Sequence, residues 1–134
     1  MVRVVVDTNV LVSALMSSGK SRTLIVKMLK AHTLVLSSQM LAELADVLAR
    51  DKFKISNSQI DRYLAFMVSA CEIVKDQPRF KVVIEDPDDD VVLNVAYEGK
   101  AVYLVTGDKH LLALNRFKRT KIVTVNQMLE MLEQ

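Results

Sequence analysis

The sequence is poor in residues that break secondary structure or cross-link a chain. Only three glycines and two prolines occur among 134 residues, so long irregular stretches are not expected. The single cysteine, Cys71, excludes an internal disulfide and has no cysteine or histidine neighbours at metal-ligand spacing. The apolar runs are far shorter than the ~18–20 residues of a membrane span, and the N-terminus enters a strand pattern without a secretory signal. We therefore expect a protein of the reducing cytoplasm with no membrane partner.

No charge of one sign dominates the chain either. The formal net charge is +2, with 25% charged and 51% hydrophobic residues, which is a globular rather than a disordered composition. Near neutrality indicates no partner by itself, so a nucleic-acid-binding protein of this composition must gather its basic residues on one face. The length is about that of one domain, and no linker, repeat or low-complexity segment divides it. We expect one domain over residues 1–134.

Predicted strands alternate with predicted helices. The run at 2–6 is β-branched and apolar, as in a strand buried on both faces of a parallel sheet. Further short strands are predicted at 34–36, 71–74, 101–105 and 121–125. Amphipathic helical patterns separate them. The alternation predicts right-handed βαβ units and an α/β fold with a central, mainly parallel sheet of about five strands.

Carboxylates fall at four of the predicted strand–helix junctions. Asp7 follows the first strand, Asp108 follows the fourth, and the aspartates of "DPDDD" (86–90) begin a helix. Glu43 lies at the border of the apolar stripe of another helix, where it can lean toward a site, whereas Asp46 points to solvent. Because the carboxyl ends of parallel strands face one edge of a sheet, where ligands bind, we expect these acids to share a site.

Crowded carboxylates repel one another unless a counter-charge is present. Mg²⁺ prefers hard oxygen ligands and Mn²⁺ accepts the same ones, and one or two such ions suit phosphodiester hydrolysis. A single aspartate after a strand can instead cap a helix. For Asp7 alone, the helix-cap and the metal-ligand interpretations are equally supported. The joint occurrence at four junctions, with Thr8, Asn9 and Thr106 nearby, favours a metal site.

Four segments together resemble a PIN domain: "VVVDTNVLVSAL", "SSQMLAELADVL", "EDPDDDVVLNVAYEGKAVYLVTGDKHLL" and "IVTVNQML". More narrowly, they resemble the PIN-domain proteins described as candidate toxins of prokaryotic toxin–antitoxin pairs, and the resemblance covers essentially the whole chain. It implies a three-layer α/β/α sandwich. It also implies Mg²⁺- or Mn²⁺-dependent cleavage of single-stranded RNA, a cognate antitoxin protein and a homodimer.

The resemblance assigns catalytic and metal-binding roles to four acids: Asp7, Glu43, Asp89 and Asp108. Asp90 is the adjacent alternative to Asp89. In the implied mechanism Asp7, Asp89 and Asp108 hold one ion directly or through water, Glu43 supports the ion or activates the attacking water, and a second ion joins with substrate. The cut leaves 5′-phosphate and 3′-hydroxyl ends. Supporting roles around these ligands fall to Thr8, Asn9, Asp86, Asp90 and Thr106.

A basic stretch late in the chain is the predicted substrate contact. It comprises Arg116, Lys118, Arg119 and Lys121, with Phe117 inside it. Basic side chains near an acidic pocket can hold a nucleic-acid backbone, although the same residues also fit a solvated basic surface. The sequence does not indicate which RNA is cut.

Other functions predict different features. A phosphatase with an aspartyl nucleophile usually has a second aspartate two residues after the first, where this chain has Asn9. A DNA nuclease generally needs added elements to hold a duplex. A PIN-like binding module without catalysis predicts a missing acid, and no junction lacks one. An interaction protein whose acids are helix caps predicts a thermal stability that Mn²⁺ does not change.

Overall fold

The structure, a computed structural model, describes residues 1–83 and 86–133. The side chain of Asp88 also lies outside the described part of the structure. Within these residues the strands are β1 (Arg3–Val6), β2 (Thr33–Ser37), β3 (Glu72–Val74), β4 (Tyr103–Val105), β5 (Arg116–Phe117) and β6 (Thr120–Val123). The α-helices are α1 (Thr8–Met16), α2 (Lys20–Ala31), α3 (Ser38–Leu48), α4 (Asn57–Ala70), α5 (Pro87–Glu98), α6 (Lys109–Leu114) and α7 (Val125–Leu132). A 3₁₀ turn at Asp51–Phe53 separates α3 from α4.

The described strands form one sheet in the order β3-β2-β1-β4-β6-β5. Every neighbouring pair is parallel except β5–β6. The predicted α/β sandwich with a mainly parallel sheet is therefore confirmed. The sequence predicted about five strands and missed β5, because a two-residue strand is too short to show any periodicity.

The central strands are buried on both faces, which explains their uninterrupted apolar sequence. Val4, Val5 and Val6 of β1 have no exposed surface, and neither do Leu104 and Val105 of β4. Helices cover both faces, as in other parallel sheets. No helix in the described part of the chain is long and apolar enough to cross a membrane.

The strand register sets the position of the polar residues that follow. Val6 of β1 pairs with Val105 of β4, so the residues after these two strands emerge at the same level of the sheet. The backbone N–H of Asp7 donates to the carbonyl of Val105 at 2.9 Å, which ties the two strand ends together. The chain leaves β1 for β2 on one side, and β4 lies on the other. This reversal of strand order is where α/β sheets form their ligand-binding crevice.

Helix α5 crosses the sheet from this edge to the opposite one. Its C-terminal end approaches β2 closely at Gly99, where an added Cβ would lie 2.5 Å from Cγ1 of Val35. Only glycine allows this approach. The predicted helix end near Gly99 is thus explained by packing, and the N-terminal turn of α5 is fixed at the crevice.

Candidate metal centre

Three carboxylates meet at the crevice. One oxygen from each of Asp86, Asp89 and Asp108 lies within 4.8 Å of the other two, and we call these three residues the acidic cluster. Asp86 and Asp89 lie at the start of α5, and Asp108 lies directly before α6. A separation of this size brings three anionic groups within reach of one cation and leaves them repelling one another without it.

Asp89 is the most constrained member of the acidic cluster. Its side chain is buried, with 5% exposure, and its Oδ2 atom has no hydrogen-bond partner among the described residues. Burial, together with the charges of Asp108, Asp86 and Asp7, raises the pKa of Asp89 from 3.8 to about 7. A hydrogen bond with Asp108 contributes to this increase. A buried carboxylate oxygen without a donor destabilises the fold, and a divalent cation would complete its coordination, so the residues present fit such an ion.

Asp7 lies beside the acidic cluster. It occupies the position before α1, yet its side chain makes no capping hydrogen bond to that helix, so the helix-cap interpretation of this residue is wrong. Its Oδ2 atom instead accepts a hydrogen bond from the Thr106 hydroxyl at 2.7 Å. Burial raises the pKa of Asp7, the Thr106 hydroxyl and the Thr8 backbone oppose this increase, and the charges of Asp108 and Asp86 add to it.

Thr106 connects two of the acids. Its side chain is fully buried, and its hydroxyl oxygen accepts a hydrogen bond from the backbone N–H of Asp108 at 3.0 Å. Because that oxygen already accepts from Asp108, the hydroxyl proton is directed at Asp7. The predicted polar neighbour therefore fixes the orientation of Asp7 relative to the start of α6.

Asp108 combines the two roles that the sequence offered as alternatives. Its Oδ1 atom caps α6 by accepting from the backbone N–H groups of His110 at 2.7 Å and Leu111 at 3.3 Å. The same residue contributes an oxygen to the acidic cluster. Capping fixes the position of this carboxylate at the start of α6.

Glu43 is tied to the other side of the crevice. The hydroxyl of Thr8, which is buried, donates to Oε2 of Glu43 at 3.4 Å. Thr8 directly follows Asp7, so this bond connects α3 to the end of β1. Asn9, by contrast, is exposed at the start of α1.

The aspartates of "DPDDD" differ in what their side chains contact. Asp89 points into the acidic cluster, whereas Oδ1 of Asp90 accepts from the backbone N–H groups of Val82 and Val83, each at 2.9 Å. Asp90 therefore holds the preceding segment in place. Asp86, which the sequence assigned a supporting role, lies in the acidic cluster itself.

The sequence reasoning missed Asn94, one turn after Asp90. Its buried amide accepts from the N–H groups of Arg79 and Phe80 and donates to the carbonyls of Phe80 and Asp90, at distances of 2.8–3.1 Å. Asn94 and Asp90 thereby fasten the segment that leads into Asp86. The available signal was an amide among the apolar residues that follow "DPDDD".

The predicted substrate-binding residues do not surround the acidic cluster. Arg116 pairs with Lys121 across a hairpin whose two turn residues are Lys118 and Arg119. Because β6 runs parallel to β4, this turn lies at the edge where the parallel strands begin. The acidic cluster lies at the opposite edge, where they end.

Comparison with known proteins identifies the family. A PIN-domain family model matches residues 3–110, so the chain belongs to the PIN-domain family, whose members are generally nucleases that use divalent metals. The chain is also 31% identical over 118 residues to uncharacterized protein MJ1680 of Methanocaldococcus jannaschii. That match covers 84% of this chain and 75% of the relative.

Two solved structures show the same fold. One is the crystal structure of VapBC2 from Rickettsia felis bound to a DNA fragment from its promoter. It matches with a TM-score of 0.65 and 20% identity, and the match covers 91% of this chain and 98% of that one. PAE2754 of Pyrobaculum aerophilum matches with a TM-score of 0.66 and 21% identity, covering 99% of this chain and 90% of that one. At these identities the similarity establishes the architecture.

Proposed function

We propose that this protein is a Mg²⁺- or Mn²⁺-dependent endoribonuclease that cuts single-stranded RNA and acts as the toxin of a toxin–antitoxin pair. The observation behind the enzymatic part is the buried Oδ2 of Asp89 in the acidic cluster, which has no hydrogen-bond partner among the described residues. It occurs in a chain of a family whose members are generally nucleases. The fold shared with VapBC2 supports the toxin assignment.

The ion would be held by Asp7, Asp86, Asp89 and Asp108. When bound, a divalent cation polarises the phosphodiester and lowers the pKa of water. The chain's own groups do the positioning. Thr106 orients Asp7, and Thr8 orients Glu43. Glu43 can then accept the proton of the attacking water as a general base. A second ion would join with the substrate.

The remaining parts of the proposal follow from the family resemblance. The active unit is one domain over residues 1–134, paired as a homodimer in the cytoplasm. The antitoxin would occupy the crevice and set a basic side chain against the acidic cluster, since a cation there offsets the same repulsion that a metal ion does.

Incubation of a labelled single-stranded RNA with the protein in Mn²⁺, Mg²⁺ or EDTA tests the enzymatic part. We expect metal-dependent cleavage, reduced on the order of 100-fold by Asp7→Asn or Asp108→Asn, as for other residues that stabilise a transition state. Asp46→Asn is the matched control, because it makes the same change at an exposed position of α3 and should leave cleavage intact.

If no RNA is cleaved, calorimetric titration of the same samples with Mn²⁺ shows whether the metal site exists. Binding that requires Asp7 leaves a metal site whose RNA substrate has not been found. No binding at millimolar Mn²⁺ contradicts the metal site. Equal cleavage of single-stranded DNA of the same sequence contradicts the assignment to RNA.

A further inference from the structure

A groove of about 820 Å³ opens at the edge of the sheet opposite the acidic cluster. It lies between the C-terminal end of α5, the start of β4 and the β5–β6 hairpin. We call it the basic groove, and the residues used below are Arg79, Tyr97, Glu98, Lys100, Lys118 and Arg119. The PIN nuclease mechanism proposed above uses none of them.

Positive charge dominates the basic groove. Four cationic side chains line it together with one carboxylate. That carboxylate, Glu98, is paired with Arg79, whose Nε atom lies 2.5 Å from Oε1. Lys100, Lys118 and Arg119 form no ion pair within the described residues. In a chain with a net charge of only +2, this is the gathering of basic residues on one face that nucleic-acid binding requires.

Tyr97 is the aromatic residue in the described lining of the basic groove, and two further rings pack beside it. Phe80 packs edge-to-face against Tyr97, with ring centroids 4.9 Å apart, and against Phe117 at 5.3 Å. Nζ of Lys118 lies 4.9 Å from the centroid of the Phe80 ring. Tyr97 is 44% exposed, so a large part of its ring is open to solvent and can stack against a planar group.

Two lysines of the basic groove occupy turns that favour glycine. Lys100 has φ of 52° in the turn that follows α5, and Lys118 has φ of 54° at the first position of the hairpin turn. An L-residue is strained in this left-handed region. A third lysine, Lys54, has the same φ of 52° but lies outside the groove, so the conformation alone does not define the site. What distinguishes the groove is that both strained turns contribute a lysine to its lining.

We propose that the basic groove binds the phosphate backbone of the RNA strand, with one base stacked on Tyr97. This rests on the proposed function in taking RNA as the strand. The ten residues from Asp89 to Glu98 place the groove about 14 Å along α5 from the acidic cluster. Because residues 92–96 of this helix are buried, a strand held in the groove must reach the cluster over the surface beside the helix. An acidic peptide would also match the charge, but it would leave the exposed ring of Tyr97 without a planar partner.

The left-handed lysines allow charge to be removed without loss of fold. The double variant Lys100→Gly/Lys118→Gly deletes two cations and gives each turn the residue that its backbone conformation favours. Lys54→Gly is the matched control, since it makes the same change at the same φ elsewhere. Binding of a short fluorescein-labelled single-stranded RNA is measured by anisotropy in EDTA, where a metal-dependent enzyme cannot cut it, over about 50 to 300 mM salt.

We expect the double variant to bind about tenfold more weakly at ~100 mM salt. Its log–log salt slope should be shallower by about 1.4, since each lost phosphate contact removes about 0.7 on a single strand. Lys54→Gly should match the wild-type protein. Tyr97→Leu should weaken binding and leave the slope unchanged, because stacking releases no counterions.

Two results overturn the proposal. One is a double variant whose affinity and slope equal those of Lys54→Gly. The other is a polyglutamate peptide whose binding is lost in the double variant while RNA binding is retained, which would make the groove a peptide site. The nuclease proposal fails separately: groove-dependent RNA binding by a wild-type protein that binds no Mn²⁺ at millimolar concentration removes the enzyme and leaves the groove. Metal-dependent cleavage by a protein whose RNA binding does not depend on the groove removes the groove proposal and leaves the enzyme.

Discussion

The two edges of the sheet hold their charges in opposite ways. At the carboxyl edge Asp7 and Asp89 are buried, and Oδ2 of Asp89 has no hydrogen-bond donor among the described residues. At the opposite edge the cations of the basic groove are solvated, and the unfavourable feature lies in the backbone, at the positive φ of Lys100 and Lys118. One edge therefore holds electrostatic strain that a bound cation can relieve. The other holds conformational strain that persists whatever binds.

This difference separates the two proposals experimentally. Unfavourable local states persist where the surrounding structure imposes them, and they concentrate at functional sites. Interactions at the acidic cluster should respond to pH and to divalent ions, because they depend on carboxylate ionisation. Interactions at the basic groove should respond to salt instead, because exposed cations act through counterion release.

Replacing the most strained acid should have the largest effect. Asp89→Asn removes the buried charge, so metal-free protein at pH 8 should gain about 1–3 kcal/mol of unfolding free energy while Mn²⁺ affinity falls about 100-fold. The pKa of Asp89 is about 7 when folded and 3.8 ordinarily, so the folded state holds a proton that the unfolded state lacks between these values. The wild-type protein therefore loses stability as pH rises from about 4 to about 7, and the advantage of the variant grows over that window.

Thermal unfolding in EDTA at several pH values, with Mn²⁺ calorimetry, measures both effects. Asp46→Asn controls for the loss of one surface carboxylate, because Asp46 is exposed, and its stability difference from wild type should stay flat across the same pH range. A destabilised Asp89→Asn variant at pH 8 would mean that Asp89 is structurally satisfied, and the electrostatic strain at this edge would be refuted.

The hydroxyl that joins Asp7 to Asp108 should have a smaller effect. Thr106→Val keeps the shape of the side chain but leaves the Asp108 N–H without its acceptor and Asp7 without its donor. We expect about tenfold weaker Mn²⁺ binding and a further rise in the pKa of Asp7, seen as metal binding that moves to higher pH. Thr106→Ser, which retains the hydroxyl, should restore both properties.

A second buried threonine provides the control for stability. Thr120 lies in the hairpin, and its hydroxyl donates to the Ala101 carbonyl at 2.8 Å. Thr120→Val should therefore destabilise the protein by about 1 kcal/mol without altering Mn²⁺ affinity. If Thr106→Val lowers stability equally and leaves the metal affinity unchanged, Thr106 is a structural residue only.

The features that the sequence predicted correctly are those with a local signature. A β-branched, apolar run with one arginine identified β1, and the alternation of strands and helices identified the parallel sheet. The acids at the strand ends could be expected to meet because the topology of such sheets is restricted. Asp7, Asp89 and Asp108 are accordingly found at one edge, although their roles remain predictions.

The features that the sequence left undetermined depend on three-dimensional neighbours. Nothing in "DPDDD" indicates that Asp90 bonds to backbone while Asp89 is buried, since the two differ only by their angle around α5. The basic stretch was expected beside the acids, but the short strand β5 reverses the chain and places Lys118 and Arg119 at the far edge. The positive φ of Lys100 and Lys118 could not be predicted from the sequence, because lysine does not indicate a left-handed backbone conformation.

The smallest expected effect sharpens the conformational half of the comparison. At each of Lys54, Lys100 and Lys118, substitution by glycine should give a protein more stable than substitution by alanine, by about 1 kcal/mol. Both changes remove the same charge, but only glycine relieves the left-handed strain. Lys121, an exposed strand residue without positive φ, is the control, because there glycine should be the less stable of the two. Denaturant unfolding at matched pH measures the differences. If glycine gains nothing over alanine at Lys100 and Lys118, the turns of the basic groove are not strained, and the opposition between the two edges reduces to charge alone.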